Sequence, residues 1–208
     1  MLLVAAVIGS GIMAERLAGG NVAVALLANT IATAAALLAL ITTLGPVSGA
    51  HFNPVVTVVE ALGGRLAWRA VPGYATAQLV GGVAGAVLAH LMFSLPVVTL
   101  STHARAGAAQ IVSEAVATFC LLLVIAGVSR ARPAAVPACV AACIAAAYWF
   151  TASTSFANPA VTIARALSDT FAGIRPADVP GFLLGQATGA ALAVVVTRVL
   201  WPNKEPSA

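Results

Sequence analysis

The chain has 208 residues, of which 61% are hydrophobic and 8% charged, with 10 Lys+Arg against 6 Asp+Glu and a formal charge of +4. A water-soluble domain carries roughly a quarter charged residues, because its whole surface must face solvent. Three Cys and no low-complexity tract argue against a disulfide scaffold or a disordered chain, and the scattered cations make no nucleic-acid patch, which leaves an integral membrane protein.

A helix that crosses the hydrocarbon needs about 20 mostly apolar residues. The first apolar stretch, residues 1–14, ends at Glu15 and Arg16. At 1.5 Å per residue it makes only about 21 Å, against about 30 Å of hydrocarbon. It is expected to be a shortened first helix, or one set in a thinned bilayer. A signal peptide is the competing reading, but no basic segment leads it. Full spans are expected at 22–44, 70–94, 108–128, 134–152 and 179–200. With the N-terminus inside, Arg65, Arg69, Arg130, Arg132, Arg198 and Lys204 fall on the inner side, and Arg16, Arg105, Arg165 and Arg175 on the outer, a modest positive-inside bias. Trp68 and Trp201 adjoin inner helix ends, as interfacial anchors should.

The chain then repeats itself. Residues 48–62, SGAHFNPVVTVVEAL, align without a gap with residues 153–167, STSFANPAVTIARAL. VPGYATAQLVGG from Val71 and VPGFLLGQATGA from Val179 follow in turn. One channel domain over 1–208 is therefore expected to hold two copies, 1–94 and 107–200. Each copy has three spans, an odd number, so the second must enter the membrane inverted.

Asn is a strong N-cap, and Pro suits the first helical position because it has no amide hydrogen to leave unpaired. Short helices are thus predicted from Pro54 to Leu62, stopped by Gly63 and Gly64, and from Pro159 to Leu167. Nine residues make about 14 Å, half the hydrocarbon. Two such half-helices meeting head to head would span it. Irregular backbone is tolerated at that depth only where protein buries it or a wet cavity takes it. The segments Gly49, Ala50, His51, Phe52 and Thr154, Ser155, Phe156, Ala157 are accordingly expected to turn carbonyls to a pore. Two positive helix ends and the amides of Asn53 and Asn158 at its centre disfavour cations.

The motifs Asn53-Pro54-Val55 and Asn158-Pro159-Ala160 on inverted repeats, the SGAH before the first and the SEAVATF opening the fourth span resemble the major intrinsic proteins, the aquaporins and aquaglyceroporins. The resemblance implies an all-α membrane fold of six transmembrane helices plus two re-entrant half-helices. It also implies a homotetramer with one pore per subunit in the cell (plasma or inner) membrane. By spacing from the motifs, the resemblance puts the selectivity filter at Thr33, Ala146, Ser155 and Val161, with Val161 where the family normally has Arg. Arg165, one turn on, is assigned to the outer vestibule. A wide, nearly chargeless ring is expected.

The implied cargo is small, uncharged and polar: glycerol, urea, metalloid hydroxides such as arsenite or methylated arsenicals, and water. The filter resembles most that of the arsenic-operon aquaglyceroporins. Glu114, Gln78 and Gln186 are expected to support the loops, and His51 to pack near the inner mouth. Cys139 and Cys143, four apart, offer a weaker thiol site. Nothing in the sequence suggests an enzyme, a cofactor or a metal centre. A secondary transporter and a water channel without solute traffic are the alternatives.

Overall fold

A computed structural model describes residues 1–202; Lys204, placed above on the inner side, lies outside them. Eight α-helices make up the described residues: α1 (Leu2–Leu17), α2 (Val22–Ser48), α3 (Pro54–Leu62), α4 (Val71–Met92), α5 (Ala108–Ala131), α6 (Val136–Phe150), α7 (Pro159–Arg165) and α8 (Val179–Leu200). Helices α2, α4, α5, α6 and α8 are long and apolar enough to cross a membrane. Helix α1, at 16 residues, covers about 24 Å.

Several boundaries differ from the expected ones: α1 runs through Glu15 and Arg16 to Leu17 and α5 continues to Ala131, and two further shifts have local reasons. Helix α2 runs on through Pro46 to Ser48 and ends where Gly49, at φ 73°, donates its N–H back to Gly45. Helix α7 closes at Arg165 rather than Leu167, because Ala166 and Leu167 donate to carbonyls three residues back and tighten the last turn.

The inverted repeat governs the packing. Helix α1 lies along α4 as α5 lies along α8, while α3 packs on α4 and α8, and α7 on α8 and α4. Small residues allow the close approaches. A Cβ at Gly189 would strike the Ala115 carbonyl, and one at Gly85 the carbonyl of Met1. The outward faces are apolar, with Val22 and Ile31 on α2, Val80 and Leu91 on α4, and Leu192 and Val195 on α8 exposed, as a lipid-facing surface requires.

The arginines sort to two ends. Arg65, Arg130 and Arg198 share one cleft. At the other end Arg105 donates its backbone N–H to Asp178, and Arg175 donates to the same carboxylate at 2.9 Å.

Candidate pore and its filter

The two half-helices meet at their N-termini. Asn53 and Asn158 are extended, with φ of −150° and −158°, and each is followed by Pro as the first helical residue. The Asn53 side-chain oxygen accepts from the Val55 N–H at 3.0 Å, and that of Asn158 from Ala160 at 3.0 Å and Val161 at 3.3 Å. The amide nitrogens reach the other way. Asn53 Nδ2 donates to the Ala157 carbonyl at 2.7 Å, and Asn158 Nδ2 to the Phe52 carbonyl at 2.8 Å. Each repeat therefore binds the carbonyl just before the other repeat's Asn. An amide nitrogen carries two hydrogens, so each Asn keeps one donor beyond this bond, and both residues border the central cavity.

The loops leading into these caps share a left-handed backbone at matched positions: Gly49 (73°), Ala50 (46°) and Phe52 (49°) in the first, Thr154 (59°), Ser155 (50°) and Ala157 (46°) in the second. For non-glycine residues such conformations persist only when the surroundings impose them. In the second loop the constraint is Glu114, fully buried on α5. Its carboxylate accepts from the Ser153 hydroxyl at 2.6 Å, the N–H groups of Phe156 and Ala157 at 2.9 and 2.8 Å, and the Gln186 amide at 2.6 Å.

The first loop is held differently. Gln78 donates to the Thr57 hydroxyl at 2.9 Å, which itself donates to the Asn53 carbonyl at 3.1 Å. Thr57 has then spent its only proton, so its 3.2 Å contact with His51 Nδ1 makes that nitrogen the donor. Gly49 is left-handed, and a Cβ there would lie 3.0 Å from His51 Nε2, so a larger residue would crowd the ring. No carboxylate joins this loop among the described residues.

Between the loops runs a cavity of about 240 Å³. A family model for the major intrinsic proteins matches residues 1–155. Aquaglyceroporin AqpS of Rhizobium meliloti (strain 1021) is 54% identical over 205 residues, covering 99% of this chain and 88% of its own length. The chain belongs to the major intrinsic protein family. A plant member, aquaporin NIP1-4 of Oryza sativa subsp. japonica, is 41% identical over 102 residues, 48% of this chain and 37% of its own. The X-ray structure of the aquaglyceroporin from Plasmodium falciparum aligns with a TM-score of 0.67 over 98% of this chain and 92% of its own. At 18% identity that likeness speaks for the fold.

Within this major intrinsic protein fold the cavity is bordered by Gly49, Ala50, His51 and Phe52 from one loop and by Ser155, Phe156 and Ala157 from the other. Thr154 does not border it; its hydroxyl accepts from Arg105 at 3.5 Å instead. Val55 and Ala160 also stand off the cavity; Ala160 is buried, with its carbonyl 3.2 Å from the Cβ position of Gly82 on α4.

Of the four filter positions carried over by spacing, Thr33, Ser155 and Val161 border the cavity, and Ala146 does not: it is exposed on the outer face of α6. The inward face of α6 is Val136, Val140, Ile144 and Tyr148, one residue per turn. The buried Tyr148 hydroxyl donates to Thr33 at 3.3 Å, so an aromatic ring closes the side expected to be open. This four-residue stripe was the available signal. Counting back from Asn158 misses it because the loop between α6 and the motif does not follow helical register.

Arg165 is the second correction. It is 2% exposed, borders the cavity beside Val161 and Tyr148, and donates Nε to the Ala172 carbonyl. Its guanidinium carbon lies 3.3 Å from the centre of the Phe156 ring, and that of Arg105 at 5.1 Å. Val161 and Arg165 are four apart on one helix face, and the long side chain turns back rather than outward. A positive charge thus reaches the pore wall although position 161 is aliphatic. Burial pulls the Arg105 guanidinium down to about 10, still protonated at neutral pH. The Ser155 hydroxyl is buried and has no hydrogen-bond partner among the described residues.

The cysteines pair differently from the expectation too. Cys143 Sγ lies 3.5 Å from Cys120 Sγ on α5. No group of three or more metal-binding side chains occurs among the described residues.

Proposed function

We propose that the protein is a passive channel for small uncharged hydroxylated solutes: glycerol, urea and metalloid hydroxides such as arsenite or methylated arsenicals, with water as a co-permeant. The observation that carries this reading is the two-faced lumen. Leu37, Val140, Ile144 and Val161 offer an apolar wall, while the carbonyl-bearing loops and two Asn amides supply polar groups. A solute with hydroxyls on a short carbon or metalloid frame meets both halves, exchanging its hydration for fixed donors and acceptors.

Charge selects the class. The N-termini of α3 and α7 point positive ends at the midplane, and Arg165 adds a full charge toward one mouth. Cations are repelled and neutral solutes are not. The pore lacks the family's Arg directly after the second Asn-Pro-Ala; Arg165 reaches the same wall from one turn later and leaves Val161 as an apolar contact. AqpS, an aquaglyceroporin by name, supports the solute class.

The test is a solute panel in proteoliposomes. Glycerol, urea and arsenite entry above empty vesicles is expected, and Val161→Arg should lose the larger solutes first. Water flux with none of these solutes entering would refute the reading. A secondary transporter needs a coupling group at the midplane, and the groups there are neutral amides; flux indifferent to a proton gradient supports the channel. We also propose a homotetramer in the plasma or inner membrane, with no nucleic-acid partner and no cofactor. Light scattering on the detergent-solubilised protein should give four copies of the 20.7 kDa chain.

A further inference from the structure

At the end of the molecule remote from Arg165, the C-terminal ends of α3, α5 and α8 converge on a cleft of about 360 Å³ that the pore does not use. Its floor is apolar: Val59, Leu122, Ala126 and Ala193. Its rim carries three guanidiniums, Arg65, Arg130 and Arg198. Among the described residues one carboxylate answers them. Glu60 takes two hydrogen bonds from Arg65, at 2.5 and 2.7 Å.

Arg130 donates to the Ala126 carbonyl at 2.6 Å and lies 5.2 Å from the Trp201 ring. Arg198, exposed, makes no hydrogen bond among the described residues. The Trp201 indole closes one side, so near to Gly127 that an added methyl there would meet it at 3.1 Å. Cations at helix C-termini are common because they offset the negative dipole end, about half a charge per helix. Three helices bringing their cations to one apolar-floored cleft beside an interfacial indole is a different arrangement. The rim keeps an excess of positive charge, and the floor residues Leu122 and Ala193 belong to the apolar cluster where α3, α5 and α8 meet.

We propose that this cleft seats the phosphate of an anionic phospholipid, with its glycerol backbone and upper acyl chain on the Leu122–Ala193 floor. A free phosphate would satisfy the rim and leave the floor wet, and a zwitterionic headgroup would bring its own cation to a rim that already has too many. Basic residues at a membrane surface draw anionic lipid, and an indole at the interface is the usual companion.

The test uses the full chain in detergent with Trp68→Phe and Trp149→Phe, both replaced residues being exposed, so that Trp201 alone fluoresces. Phosphatidylglycerol and phosphatidylcholine with brominated chains are titrated in. The anionic lipid should quench Trp201 at roughly tenfold lower mole fraction. Arg130→Gln with Arg198→Gln should abolish that preference, while Arg130→Lys with Arg198→Lys should keep most of it. Arg69→Gln with Arg132→Gln, removing equal charge from exposed positions outside the cleft, should change it less than about twofold. Equal quenching by both lipids, equal loss in the Arg69/Arg132 variant, or displacement of the lipid by millimolar inorganic phosphate overturns the proposal.

Discussion

Arg165 supplies the pore wall with a charge that position 161 does not. Removing it as Arg165→Ala takes the guanidinium from Phe156 and from the Ala172 carbonyl. Cation leak in vesicle assays is expected to rise severalfold, with neutral-solute entry kept or increased. A charge held near 4 Å in a medium of effective dielectric about 20 is worth about 4 kcal/mol to an approaching ion, so the effect should be plain. Glu114 is the other decisive residue, since its four accepted bonds hold the second loop, the left-handed Ala157 among the donors. Glu114→Gln turns one oxygen into a donor facing donors. At about 1–3 kcal/mol per buried group left unpaired, unfolding in detergent should shift by about 3 kcal/mol, with solute entry falling alongside. A pH response belongs to the loops around Asp178. Arg175, and then the Arg105 N–H, hold the Asp178 carboxyl below its usual value. A depressed carboxylate stabilises fully above its unfolded pKa and loses that contribution as pH falls through the folded one. Protection factors over residues 102–107, with exchange rates corrected for their intrinsic pH dependence, should therefore be flat from pH 8 to 5 and fall below about 4.

The half-helices were the elements most legible in the sequence. Asn before Pro states a cap and a first turn in two letters, and Gly63 states the stop, so α3 occupies the span that the letters predict. Repetition at a fixed offset then told that the second copy does the same. The inward face of α6 was less legible, because a spacing rule was carried across a loop. Tyr148 can be placed only by asking which α6 residues recur every fourth position, and an Ala at 146 satisfies any pattern. Arg165 lies on the expected helix face, but a side chain of its length can point either way, and the Phe156 ring and Ala172 carbonyl that turn it inward sit in irregular loops flanking α7, where helical register does not place them. Asn53→Asp tests the element itself. The cap acceptor toward Val55 survives, while the donor toward Ala157 is replaced by a negative oxygen. The helix should still start at residue 54, and selectivity should shift toward cations in reversal-potential measurements. Gly189→Val probes the α5–α8 seam, where any Cβ meets the Ala115 carbonyl. Overpacking there should cost about 1–3 kcal/mol and reduce the yield of folded protein.

For the molecule as a whole, the two repeats are alike in backbone and unlike in support. Glu114 braces the second loop; the first relies on the Gln78–Thr57–His51 chain and borders a cavity of about 810 Å³. The half carrying Glu114 is therefore expected to exchange its amide hydrogens more slowly, with the residue 49–52 segment opening first. The paired amides at the midplane have a mechanical meaning beyond selectivity. Because each asparagine grips the opposite loop, neither half can rock against the other without breaking both grips together. A machine that alternates its openings is hard to build on such a double clasp. Traffic through it should run downhill by simple diffusion, with a shallow temperature dependence and no saturation until the solute itself crowds the passage.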